Sequence, residues 1–206
     1  LQAEQDITVA ENITWGDATK LTLTAGDEIY VNATIENTNA TNGGVYFNAA
    51  NNFNKVIFNA NGKVIINNVY QLQWVNQAVY GNYELGSNIE ASDTRNWNSD
   101  GSGGYYGFKQ IGDNSTNNID TRFTGNFDGK GYVIDGLYIN RVSENRVGLF
   151  GYSVGSNISN IGLTNIDITG KHYVGGLVGD NYSTITNSYA TGSVSGNNFV
   201  GGLAGE

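Results

Sequence analysis

The 206-residue sequence predicts an all-β fold built from repeats, a parallel β-solenoid interrupted by one short helix and one long loop. Three features of the chain carry that expectation. First, a Gly-rich phrase recurs as Val147-Gly148-Leu149-Phe150-Gly151, Val174-Gly175-Gly176-Leu177-Val178-Gly179 and Val200-Gly201-Gly202-Leu203-Ala204-Gly205. Its leading valines lie 27 (174 − 147) and 26 (200 − 174) residues apart. A fixed period in this range marks coils that cannot bury their apolar faces alone and must stack on one another. Second, Val, Ile, Thr, Tyr and Phe are plentiful while Asp, Glu, Lys and Arg make only 14%, a balance that favours strands over helices. Third, the opening stretch alternates apolar and polar residues with a period of two, as half-buried strands do.

The elements follow in order. Ile7 and Val9, Leu21 and Leu23, then Ile29, Val31, Ala33 and Ile35 form alternating strands, broken at Gly16-Asp17, Gly26-Asp27 and Asn42-Gly43-Gly44, where turns cost least. Further short strands fall at Val45 to Phe47, Val56 to Phe58 and Val64 to Ile66. From about Val69 to Val79 glycine disappears and Leu72, Val75 and Val79 stand at three- and four-residue spacing, which predicts a helix of two to three turns. Tyr83-Glu84-Leu85 and Ile89 precede a polar loop, Ala91 to Gly104, expected to be the least ordered segment. Strand texture resumes with Phe108, Ile111, Phe123, Phe127, Val133, Ile134, Leu137 and Ile139.

In the repeat region, Ile158-Ser159-Asn160 returns as Ile185-Thr186-Asn187 and Thr169-Gly170 as Ser195-Gly196. Stacked coils would place Leu149, Leu177 and Leu203 in one inward column and Ile158 and Ile185 in another. Asn160 and Asn187 would meet at a corner, their amides bonded along the stack. The repeat glycines Gly148, Gly151, Gly175, Gly179, Gly201 and Gly205 would supply positive φ at corners or admit close backbone approach. The chain divides into coils over 1–68, a helix, loop and connecting coils over 69–140, and repeats over 141–206, all within one continuous solenoid. With roughly 25 residues per coil and about 4.8 Å per step, it would make about eight coils and a rod on the order of 40 Å.

A net charge of −9 and a pI near 4.4 argue against a nucleic acid or an anionic membrane as direct partner, since either needs a basic patch. No apolar run approaches the roughly 20 residues that cross a bilayer. The absence of Cys removes disulfides and thiolate metal sites. Beginning at Leu1 without any Met, and stopping at Glu206 inside a copy of the phrase, the sequence reads as an excerpt of a longer chain.

Val174-Gly175-Gly176-Leu177-Val178-Gly179 and its copies resemble the GLUG repeat of bacterial surface proteins of the filamentous-haemagglutinin class and of some secreted immunoglobulin A proteases. Upstream, Leu72 to Asn76, Tyr83-Glu84-Leu85, Trp97-Asn98, Phe123 to Gly129 and Ile134-Asp135-Gly136-Leu137 resemble what precedes those repeats. Leu21 to Gly26 and Ile29 to Ala33 are similar to coils of two-partner-secreted adhesins. The resemblance implies a right-handed parallel β-helix on the outer face of a Gram-negative cell, exported through an outer-membrane transporter and used for attachment to a host glycan, a protein receptor or copies of itself.

Catalytic chemistry finds little footing in the residues. Asp113, Asp120, Asp128 and Asp135 could supply the carboxylate pair of a polysaccharide-cleaving β-helix. However, Asp128 and Asp135 sit in Phe-Asp-Gly and Ile-Asp-Gly, contexts in which the side chain bonds its own backbone in a turn. His172 is the only histidine; it aligns with Asn198 in the next copy and reads as a solvent-facing loop residue. No HExxH metal motif is present. Asp113, Asn114, Asn117, Asn118 and Asp120 offer oxygen ligands for calcium but not at EF-hand spacing, and read as a solvated loop. Catalytic, cofactor and metal residues are therefore expected to be none. Asn-x-Ser/Thr sequons stand at Asn12, Asn32, Asn39, Asn114, Asn157 and Asn181. Trp97, Tyr105 and Tyr106, in or beside the long loop, are the candidate glycan contacts, because a sugar's apolar face stacks on a flat ring. The opposing reading has Trp97 anchoring the loop on the coil; Trp15 and Trp74 read as core or helix-docking residues. The expected role is a secreted adhesive scaffold, against a spacer of a secreted protease or a polysaccharide-degrading enzyme.

Overall fold

The computed structural model describes residues 1–49, 55–114 and 121–206. It is all-β with one short α-helix, and every pair of named strands among the described residues runs parallel, an arrangement compatible with a β-helix. The largest sheet has seven strands, laid side by side in chain order: Ile13–Trp15, Thr34–Asn37, Lys63–Ile66, Asn82–Leu85, Asn126–Asp128, Phe150–Ser159 and Val178–Thr186. It crosses all three stretches into which the sequence divides. Parallel neighbours cannot be joined by a hairpin, so each return to this sheet takes the chain through other elements first: strands in most cases, the helix between Lys63–Ile66 and Asn82–Leu85.

Those intervening strands form companion sheets. Lys20–Ala25 lies between Gln2–Ala3 and Gly44–Ala49; Ile29–Val31 lies between Ile7–Val9 and Val56–Phe58. Gly162–Thr169 pairs with Val133–Asp135, Tyr138–Asn140 and Tyr189–Ser195, and His172–Gly175 pairs with Asn198–Gly201.

Register explains the burial. In the seven-stranded sheet Ile13, Ile35, Val64, Tyr83, Phe127, Ile158 and Ile185 are successive partners. Those from Ile35 to Ile158 are buried, while Ile13 and Ile185 at the two ends are half-buried. Because side chains alternate across a strand, the residues before them face outward. There Asn126 donates to Asn82 Oδ1 at 2.8 Å and Asn157 donates to Asn126 Oδ1 at 3.0 Å. A second amide line joins Asp128, Asn160 and Asn187. Asn160 Nδ2 donates to Asp128 Oδ1 at 2.9 Å, and Asn187 Nδ2 to Asn160 Oδ1 at 3.2 Å. Asn160 and Asn187 both take positive φ, 55° and 49°, which asparagine tolerates better than most residues.

The helix spans Val69–Trp74 and tightens into a single 3₁₀ turn at Val75–Gln77, shorter than the Val69 to Val79 span that its apolar spacing suggests. It starts where Asn68 Oδ1 accepts from the Gln71 N–H at 2.9 Å, a side-chain cap of a helix N-terminus. Asn68 Nδ2 also donates to Asn39 O at 2.8 Å, and buried Gln71 donates to Asn37 O at 3.2 Å. These amides tie the helix to the preceding coil. Val69, Leu72 and Val75 face the core, which leaves Tyr70, Gln73, Trp74 and Gln77 half-exposed on the opposite side.

The stretch Ala91 to Gly104 is built rather than loose. It opens with a 3₁₀ helix, Ser92–Asn96, and closes as a tight turn in which Ser99 bridges Tyr105. Asp100 Oδ1 accepts from the N–H groups of Ser102 and Gly104 at 2.7 and 2.9 Å, the bonding of an Asx turn. Local side-chain bonding of this kind gives a polar segment order without a hydrophobic pattern.

Candidate functional site

Each copy of the Gly-rich phrase sits against the next. Val147 bridges Val174, Val174 pairs with Val200, Phe150 with Val178, and Val178 bridges Ala204. Leu149, Leu177 and Leu203 thus occupy matching places, the first two fully buried and Leu203 half-buried against the same core. None of Gly148, Gly151, Gly175, Gly179, Gly201 and Gly205 has positive φ. What these glycines share is proximity. A Cβ on Gly151 would lie 2.5 Å from Gly112 O, and one on Gly205 would lie 2.4 Å from Gly179 O. Of the two roles that the sequence leaves open for them, close backbone approach is the one they fill.

Positive φ appears instead on the residue before each leading valine: Arg146 at 62°, Tyr173 at 57° and Phe199 at 54°. The rings of Tyr173 and Phe199 are stacked 4.7 Å apart and nearly parallel, 2° between planes. The Arg146 guanidinium stands 4.8 Å from the Tyr152 ring and 5.7 Å from that of Tyr173, and its Nε donates to buried Asp180 Oδ2 at 2.7 Å. The left-handed conformation costs a non-glycine residue about 1–2 kcal/mol. Tyr173→Gly is therefore expected to be more stable than Tyr173→Ala by about 1 kcal/mol, although both lose the ring stack. Urea denaturation of the two variants checks the order, and an alanine variant as stable as the glycine one would refute it.

The residues that the sequence marks for chemistry are held in structural bonds. Asp128 Oδ1 accepts from its own turn at Lys130 N, 2.8 Å, and from Asn160 of the next coil. Asp135 departs from the turn reading: it accepts from the hydroxyl of Thr164 and from Asn165 Nδ2, both in the neighbouring coil, and Gly136 makes the turn with φ of 73°. His172 is half-buried in strand His172–Gly175 rather than in a solvent-facing loop, with Asn198 Nδ2 3.2 Å from its Nδ1. Asp113 lies 4.0 Å from Lys109 Nζ, and Asn114 Oδ1 accepts from Arg122 Nε at 3.2 Å. Asn117, Asn118 and Asp120 lie outside the described residues. Among the described residues no three His, Asp or Glu side chains gather as metal ligands, and no helix is long and apolar enough to cross a membrane. Of the sequon asparagines, Asn39, Asn157 and Asn181 already donate their amide N–H groups, to Gly16 O, Asn126 Oδ1 and Ser183 O.

The three aromatic residues in or beside the long loop differ in setting. Trp97 is half-buried, its ring 4.9 Å from Tyr70 and 6.4 Å from Phe108. Tyr105 stands exposed in the tight turn, and exposed Tyr106 has the Arg141 guanidinium 5.7 Å from its ring. Trp97 instead lines an open cleft of about 830 Å³ along the outer face of the helix, together with Tyr46, Tyr70, Trp74 and Tyr80. Trp74 meets Tyr46 edge to face at 6.0 Å. Gln73 clamps the backbone of Lys109, donating to its O and accepting from its N at 2.8 Å each. Asn76 holds the same segment, donating to Gln110 O at 3.1 Å and accepting from Gly112 N at 3.0 Å. Tyr70 and Trp74 are four apart on the helix, a spacing that puts both on one face; that was the available signal for the cleft.

Residues 170–195 match the family Glug, described as the GLUG motif. Over 128 residues, 60% of this chain, the sequence is 41% identical to a halomucin of Haloquadratum walsbyi, spanning 1% of that protein. Over 86 residues, 39% of this chain, it is 42% identical to a protein of Evansella cellulosilytica named as a Gly-rich membrane protein, spanning 9% of its length. No solved structure matches the chain.

Proposed function

We propose that this chain is a segment of a secreted, surface-associated adhesive protein, in which its parallel sheets close around one core as a right-handed β-helix and act without catalysis. The observation that carries the reading is the parallel pairing of seven strands with buried residues aligned from one to the next, a geometry suited to reach rather than turnover. The GLUG motif and relatives named as a mucin and a membrane protein support a place on the cell surface. The structural bonding of Asp128, Asp135 and His172 supports a non-enzymatic role. Export through an outer-membrane partner, and attachment to a host glycan, a protein receptor or neighbouring copies, complete the proposal.

Brief proteolysis of intact cells that make the full-length protein tests it. Peptides from this segment are expected in the supernatant while cytoplasmic markers stay inside. Recovery of those peptides only after lysis would overturn the surface assignment.

A further inference from the structure

We propose that the aromatic cleft beside the helix is a binding site for a neutral oligosaccharide. The inference deepens the adhesive reading and rests on it for its biological sense, but its physical basis is the cleft alone.

Apart from Tyr46, in strand Gly44–Ala49, the cleft is lined by residues outside the named strands. Val64 and Tyr83 are adjacent partners in the seven-stranded sheet, so the helix between them is an excursion. Asn82 and Asn126 are neighbours on the next step although 44 residues separate them, the widest interval in that sheet. The two excursions are stitched together by Gln73 and Asn76, and the space between them is the cleft. Its volume, about 830 Å³, falls within the roughly 300–1,000 Å³ of small-molecule sites.

Its chemistry selects the ligand. Half-buried rings of Tyr46, Tyr70, Trp74 and Trp97 offer the flat apolar surface on which the C–H face of a pyranose packs. Gln73 is fixed by its two backbone bonds yet keeps a second N–H and a second lone pair, so it presents a donor and an acceptor at little entropic cost. The charged residues lining the cleft, Lys109 and Asp113, are opposite in sign and 4.0 Å apart, and the Lys20 ammonium lies 4.8 Å from the Tyr46 ring and 5.8 Å from that of Trp74. A net charge of −9 over the whole chain disfavours a long polyanion, whereas an uncharged sugar meets no such field.

The three tryptophans make the test internal to the native chain. Trp74 and Trp97 line the cleft; Trp15 does not, its Nε1 donating to Thr19 O at 3.1 Å. Indole N–H signals of the ¹⁵N-labelled chain would be followed while cellotetraose, maltotetraose, mannotetraose and, as the charged control, trigalacturonate are added to about 10 mM, which detects millimolar binding. Saturable shifts of Trp74 and Trp97 with at least one neutral sugar, an unmoved Trp15, and about a tenfold loss of affinity in Trp74→Ala are expected. The proposal fails if no neutral sugar moves either cleft indole, if trigalacturonate alone does, or if folded Trp74→Ala binds as tightly as the native chain. Because these measurements use purified protein, failure here leaves the cell-surface result standing, and the reverse.

Discussion

Gly175→Ala is expected to cost about 3 kcal/mol, at the upper end of what overpacking exacts, and to lower the melting temperature by about 6–12 °C for a chain of this size. A Cβ at this position would lie 2.0 Å from Val178 O, 2.8 Å from Ala204 Cα and 2.9 Å from Gly205 N. All three are backbone atoms, so no side chain can swing away to make room. The relief has to come from separating the coil from its successor, which breaks the bonds from Gly176 N to Gly202 O and from Leu177 N to Leu203 O. Gly202 supplies the matched control. It stands in the same phrase, has no positive φ, and a Cβ there meets nothing within 4 Å. Gly202→Ala is expected to leave stability unchanged or raise it by about 0.4–1 kcal/mol through the unfolded chain. Thermal melts of the pair decide the matter; equal losses would mean that glycine serves flexibility here and not proximity.

Phe150→Ala is expected to cost about 3–5 kcal/mol, the range for deleting a buried phenyl ring. Phe150 is fully buried, with its ring 4.6 Å from Phe123 and 5.4 Å from Phe127. Its strand pairs with Val178 on one side and Ile111 on the other, so the ring joins the long excursion to the repeat region. Phe150→Leu keeps much of the volume and is expected to lose less than half as much. Hydrogen exchange locates the damage: the amides of Ile111 and Gly151, bonded to Leu149 O and Ile111 O, should lose protection in the alanine variant. A loss below about 1 kcal/mol would show that the cluster collapses to fill the void.

The parallel stacking of strands was legible because burial repeats when register repeats. Val147, Val174 and Val200 recur for the same reason that they pair, and Asn160 and Asn187 recur because one amide bonds the other. The helix was legible from its apolar spacing, but its early end was not, since the 3₁₀ turn at Val75–Gln77 continues the same spacing with tighter winding. Backbone handedness misled in a specific way. Positive φ is ordinarily sought at glycine, yet at the Gly-rich phrases it falls on the residue before the leading valine, Arg146, Tyr173 and Phe199, whose rings and guanidinium stack on one another. The cleft was the least legible feature. Tyr46, Trp74 and Trp97 lie far apart in sequence and meet only after Asn68, Gln73 and Asn76 have docked their segments through backbone bonds that carry no hydrophobic signature.

The paired phrases also bear on how such a chain changes length over generations. Phe150 faces Val178 and Val178 faces Ala204, so an added unit of 26 or 27 residues finds on each side the partner that its neighbours already expect. Unequal recombination that duplicates or removes one whole unit is then expected to be nearly silent for the strand pairing, so that length drifts in steps of one unit. A single-residue insertion between Thr184 and Ile185, past the bulge that the pairing holds between Val154 and Asn157, is the opposite kind of edit. It would turn Ile185 outward and Thr186 inward, and the mispairing would pass to the strand laid against it. Selection on this architecture should tolerate copy number far more readily than frame within the copy.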